Sequence, residues 1–83
     1  MRVLIIEDEV RLASNIARTL QEKAAFTVDI SHDGEDGRYK ALVESYDLII
    51  LDLMLPEIDG LTVLRDLRFE GRRTPILILT ARD

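Results

Sequence analysis

Three short apolar runs punctuate the chain: Val3–Ile6, Leu48–Leu51 and Ile76–Leu79. Each is a block of Val, Ile and Leu without polar alternation, the pattern of parallel strands covered on both faces. A fourth segment, Phe26–Ile30, is different. Its apolar residues fall at every second place with Thr27 and Asp29 between them, which predicts a half-exposed edge strand.

Between the strands the period lengthens. Ala13, Ile16, Ala17, Leu20 and Ala24 recur at three- and four-residue spacing, with Arg11, Arg18, Gln21 and Glu22 left for the wet face, so a first helix is expected there. Glu35–Ser45 is a weaker helical pattern, interrupted by Gly37, in which Ala41, Leu42 and Tyr46 can share a face. Leu61, Leu64 and Leu67 make a short third stripe, with Asp59 as its N-cap and with Glu70-Gly71 and Thr74-Pro75 as its stop. Strands alternating with helices imply right-handed crossovers and a parallel α/β sheet. The sequence ends at Thr80-Ala81-Arg82-Asp83, directly after the last apolar run, and offers nothing to cover that strand's outer edge. The pattern therefore reads as part of a larger sheet.

Composition narrows the classes of function. At 83 residues there is room for at most one small domain, and 47% hydrophobic with 33% charged residues is a globular balance. A net charge of −5 argues against general affinity for nucleic acid or anionic membranes and suits sites that attract cations. The absence of cysteine excludes disulfides and thiolate metal sites. No run reaches the roughly 18 apolar residues of a membrane span. The N-terminal apolar run meets acids too soon to serve as a signal-peptide core, so a cytoplasmic location is expected.

The acids then stand out by position. Glu7 and Asp8 directly follow the first strand, Asp52 ends the third and Thr80 ends the fourth. In an open parallel sheet all C-terminal strand ends share one edge, and ligands bind there where the strand order reverses. Three carboxylates converging at that crevice would raise at least one pKa by mutual repulsion unless a cation sat among them. A hard divalent ion such as Mg²⁺ suits a site of oxygen ligands with open positions.

Plainer readings exist for each residue. Asp8 could N-cap the first helix, and Thr80 alone is an ordinary β-former. Asp52 resists such a reading, because a cap requires a helix and Pro56 delays one. His32 is isolated in the Ser31–Gly34 turn, and Arg65, Arg68, Arg72 and Arg73 read as a solvated face, with a partner surface as the other option. Gly34 and Gly37 lack the spacing that cradles nucleotide phosphates. No Ser/His/Asp constellation and no H-E-x-x-H helix is present.

Together IIEDE after strand one, LIILDLMLPEIDG around strand three and ILILTARD around strand four resemble the receiver domain of bacterial two-component response regulators. The likeness is greatest to receivers that precede a winged-helix DNA-binding domain, and it runs the whole length of the chain. It implies a flavodoxin-like (CheY-like) sheet of order 2-1-3-4-5 with helices on both faces. By position, Asp52 resembles the phosphoacceptor that takes phosphorus from a sensor kinase's phosphohistidine. Glu7 and Asp8 resemble the acidic pair that holds Mg²⁺, completed by Asp52 and the backbone carbonyl of Met54. Thr80 resembles the switch hydroxyl, and Pro56 and Gly60 match the loop that shapes the turn into the third helix. The chemistry is reasonable from below: a carboxylate nucleophile needs no general base, and a metal neutralises charge on the transferred group. The resemblance also implies a complete receiver with a fourth helix, a fifth strand and a fifth helix. Their conserved lysine and switch aromatic have no counterpart in these 83 residues. Residues 1–83 are thus expected to be the N-terminal part of a receiver, a phosphoacceptor and not an enzyme, with any contact to DNA left to an effector domain outside them.

Two alternatives compete. A phosphatase of the haloacid-dehalogenase type also uses a strand-end Asp with Mg²⁺, but it wants a second Asp two residues on, where this chain has Met54. A non-phosphorylated interaction module would leave the acids merely structural. The uncovered apolar strand Ile76–Leu79 further predicts self-association, segment exchange or poor solubility.

Overall fold

The four apolar segments become four parallel strands. A computed structural model describes residues 1–79, in the order β1 (Arg2–Ile6), α1 (Val10–Ala24), β2 (Thr27–Ser31), α2 (Gly34–Val43), β3 (Leu48–Asp52), α3 (Gly60–Phe69) and β4 (Ile76–Leu79). The sheet order is β2-β1-β3-β4, the flavodoxin-like arrangement. Thr80, the expected switch hydroxyl, lies outside the described residues.

Alternation along the strands divides the core in two. Leu4, Ile6, Ile49 and Leu51 face α2 and α3, where they meet Ala41, Tyr46, Leu55, Val63 and Leu67. Val3, Ile5 and Ile50 face the other way onto Ala13 and Ala17 of α1. Right-handed crossovers account for this placement. The chain moves from β1 to β2 in one direction and from β1's far side to β3 and β4 in the other, so α1 covers one face and α2 with α3 the opposite face. The reversal falls between β1 and β3.

Three readings of the sequence need correction. Gly37 does not interrupt α2, because the helix runs through it. A β-carbon there would stand 2.6 to 2.8 Å from three side-chain carbons of buried Ile6, so glycine is what lets α2 lie on β1. The buried stripe of α3 is Gly60, Val63 and Leu67, while Leu61 is 45% exposed. Asp8 does not cap α1: Glu9 holds that place, with no side-chain cap hydrogen bond. The solvated-face reading of the arginines agrees with the exposure of Arg65, Arg68 and Arg73, and two of the four also bond to backbone: Arg68 Nη1 donates to the Arg72 carbonyl at 2.8 Å and Arg72 Nη2 donates to the Leu42 carbonyl, fastening the exit of α3 to α2.

The edge-strand reading of Phe26–Ile30 agrees with β2, which ends the sheet on one side. Among the described residues β4 ends it on the other; α1 lies over β1 and β2, which leaves Leu77 on that face 56% exposed, while Ile78, on the face of α2 and α3, is 39% exposed. Among the described residues no helix is long and apolar enough to cross a membrane.

Candidate functional site

The β1–β3 register, Ile6 opposite Leu51, brings the next residue of each strand to the same level at the C-terminal edge: Glu7 beside Asp52. Asp8 follows in the turn to α1. One carboxylate oxygen from each of the three lies within 4.8 Å of the others. Their environments differ. Glu7 and Asp52 are 2% and 3% exposed, whereas Asp8 stands in solvent.

Two of the buried oxygens have backbone partners. Glu7 Oε2 accepts from the Glu9 N–H at 2.9 Å, and Asp52 Oδ1 accepts from the Met54 N–H at 2.9 Å. Glu7 Oε1 is buried with no hydrogen-bond partner at all. The Glu7 carboxyl is pushed up to about 7, first by burial and then by the charge of Asp52. A raised pKa was expected from repulsion; desolvation is the larger cause.

The loop after Asp52 is shaped by a few contacts. Leu55 is buried in the core, and the Gly60 N–H returns to the Leu53 carbonyl at 3.2 Å. Asp59 caps α3 as expected, accepting from the Thr62 N–H at 2.8 Å. That bond is the main reason the Asp59 carboxyl sits below its usual range. Pro56 is exposed at the turn, and Glu57 beside it adopts a left-handed φ of 64°. Met54 contributes its N–H to Asp52, and its thioether side chain is largely exposed and offers no acid.

Sequence reasoning missed the wall on the β2 side. Asp33 caps α2 by accepting from the Asp36 N–H at 2.7 Å. Ser31 Oγ donates to Asp36 Oδ2 at 2.7 Å, and Lys40 Nζ reaches both Asp36 Oδ2 and the Ile30 carbonyl. The bond from Ser31, followed by that from Lys40, lowers the Asp36 pKa. His32, isolated in sequence, places Nδ1 3.0 Å from the Glu7 carbonyl. The only signal in the sequence was its place one residue past β2.

A doubly wound sheet with acids gathered at its switch point defines a class: open α/β proteins with a candidate site at the C-terminal edge of the strands. The comparison with known families narrows that class. The family model for the response regulator receiver domain matches residues 3–83, and the chain belongs to that family. It is similar over all 83 residues to the transcriptional activator protein IrlR of Burkholderia pseudomallei (51% identical, 35% of that protein's length) and to the transcriptional regulatory protein DltR of Streptococcus agalactiae (45%, 37% of its length). The chain thus spans little more than a third of these curated relatives. Among solved structures, the receiver domain of the Francisella response regulator 1452 superposes with a TM-score of 0.91 at 30% identity, over 99% of this chain and 67% of that one. The Thermotoga maritima response regulator TrrA, solved in complex with Mg(2+)-BeF, gives 0.91 at 33%, over 99% and 70%.

Proposed function

We propose that this chain is the phosphoacceptor part of a two-component response regulator and that Asp52 receives the phosphoryl group. The observation that carries the reading is the three-carboxylate cluster at the switch point, with one buried Glu7 oxygen lacking any partner. Leaving a buried acceptor unmet is costly, and a cation is the partner that would meet it. The donor set is all oxygen, which fits Mg²⁺. Glu7, Asp8, Asp52 and the Met54 carbonyl are the groups that would hold the ion. Bound there, Mg²⁺ would neutralise charge on the phosphoryl oxygens.

In the transfer, a carboxylate oxygen of Asp52 bonds to phosphorus as the phosphorus–nitrogen bond of a kinase phosphohistidine breaks. The products are an aspartyl phosphate and an imidazole that takes up a proton. The Met54 N–H holds the carboxylate while the buried strand beneath it fixes its height. Thr80 is assigned the switch hydroxyl, and Pro56 and Gly60 the shaping of the loop, by their match to the family. The chain acts here as a substrate and switch, in the cytoplasm, facing a sensor histidine kinase. Control of transcription is the proposed output, supported by the names of its relatives, with DNA contacted by an effector domain and not by residues 1–83. The dehalogenase-type alternative has no support at Met54, where its second acid would be.

Incubation with acetyl phosphate and Mg²⁺, read by intact mass, is expected to add one phosphoryl group that hydroxylamine removes and that Asp52→Ala abolishes. Persistence of the adduct in Asp52→Ala, or its absence from the wild-type chain, would overturn the assignment.

A further inference from the structure

The function proposed above uses no atom of His32, yet the ring is attached to the site. Its Nδ1 lies 3.0 Å from the backbone carbonyl of Glu7. A carbonyl oxygen only accepts, so Nδ1 must carry the proton in this pair.

The position of this bond in the sheet explains its use. The last registered β1–β2 pair is Ile6 with Ser31, and the Glu7 N–H extends the ladder by donating to the Ser31 carbonyl at 2.9 Å. In a parallel ladder the next bond would run from the N–H of residue 33 back to the Glu7 carbonyl. Asp33 instead serves as the N-cap of α2. The imidazole of the preceding residue supplies the donor in its place. Glu7 is therefore held at three points: its N–H by Ser31, its carbonyl by His32, and Oε2 by the Glu9 N–H. Only Oε1 is left without a partner. The residues just before the imidazole are tied to α2 by the Ser31–Asp36 and Lys40–Ile30 bonds.

We propose that His32 is a positioning residue for Glu7, its Nδ1–H fixing the Glu7 carbonyl and so aiming Oε1 at the ion-binding position. The inference rests on reading Glu7 as a Mg²⁺ ligand. Mg²⁺ demands near-ideal octahedral geometry, and groups that orient a ligand affect affinity although they do not touch the ion. Losing one hydrogen bond that water can partly replace is expected to weaken Mg²⁺ binding roughly 3- to 10-fold.

The test is a Mg²⁺ titration of the chain and its variants by ¹H–¹⁵N NMR, alongside urea unfolding in EDTA. His32→Ala is expected to raise the Mg²⁺ Kd roughly 3- to 10-fold. His32→Asn, whose Nδ2 donor stands where Nδ1 does, is expected to restore it to within about twofold of wild type. Should His32→Ala fail to fold, His32→Phe set against His32→Asn gives the same contrast between no donor and a donor. A long-range ¹H–¹⁵N spectrum should show the proton on Nδ1. The proposal is overturned if His32→Ala lowers metal-free stability while leaving the Kd unchanged, if His32→Asn matches His32→Ala, or if the ring is protonated on Nε2 alone. A wild-type chain that binds no Mg²⁺ overturns the metal reading as well, and shows it before any variant is made.

Discussion

Gly60 rests its bare α-carbon against the backbone carbonyl of Asp52. A β-carbon added at residue 60 would stand 2.3 Å from that oxygen and 2.7 Å from the Leu53 α-carbon. Both neighbours are backbone, so neither can swing aside. The first residue of α3 thereby sets how closely the helix approaches the end of β3, and with it where the Asp52 carboxylate stands. Gly60→Ala is expected to cost about 3 kcal/mol of stability through overpacking. It should also slow Mg²⁺-dependent phosphorylation of whatever folds. Urea unfolding with phosphorylation rates checks both, and unchanged values would mean that the contact relaxes freely.

The raised Glu7 pKa makes metal-free stability depend on pH in a defined window. A carboxyl that titrates at about 4.5 unfolded and at about 7 folded binds more protons in the native state between those values. Stability therefore falls as pH rises across that window, by about 3 kcal/mol at most. The lowered pKa values of Asp29, Asp36 and Asp59 act in the opposite sense and lower down: their contribution is present above the unfolded value of 3.8 and is lost as pH falls through their folded values. Mg²⁺ competes with the Glu7 proton, so saturating Mg²⁺ should flatten the decline towards pH 7. Melting curves from pH 4.5 to 7.5, in EDTA and in Mg²⁺, measure this. A rise in EDTA stability over the window would contradict the burial of Glu7.

At the opposite edge of the sheet, Tyr46 Oη donates to Asp29 Oδ2 at 2.6 Å, and Arg2 Nη2 reaches the same oxygen at 3.1 Å. The Arg2 guanidinium also lies over the Tyr46 ring, 5.1 Å from its centroid. The Tyr46 bond, ahead of that from Arg2, holds the Asp29 carboxyl low, while burial followed by the same bond pushes the Tyr46 phenol up. Tyr46→Phe should cost about 1.5 kcal/mol, the worth of a hydrogen bond to a charged group. Its Asp29 should titrate closer to 3.8. Because the network is remote from Asp52, the rate of phosphorylation should not move. A change in that rate with stability intact would tie the two edges together.

The β4 edge carries an association prediction. Leu77 and Ile78 are half-exposed on a strand with no neighbour on its outer side among the described residues. Apolar edge strands recruit further strands. The 83-residue chain should therefore show a concentration-dependent sedimentation coefficient, reduced by Leu77→Lys. A monomer at every concentration would refute this.

Much of the fold was legible in the chain because its signals are local. Unbroken apolar runs marked β1, β3 and β4, alternation marked the edge strand β2, and Asp59 as N-cap marked the start of α3. The convergence of the three carboxylates in the candidate site was legible for the same reason: Glu7, Asp8 and Asp52 each follow an apolar run, and parallel strands gather such residues at one edge.

What the sequence alone determined is which residues form strands and which acids reach the strand ends, since both follow from the order of neighbours along the chain. Only the tertiary structure decided that Glu7 is buried and Asp8 exposed, that Gly37 is a point of helix–strand contact, that Val63 and not Leu61 faces the core, and that His32 grips Glu7. These depend on which surfaces meet across 25 residues or more, as with His32 and Glu7. Burial and hydrogen-bond completion are properties of the packed assembly, and no local pattern records them.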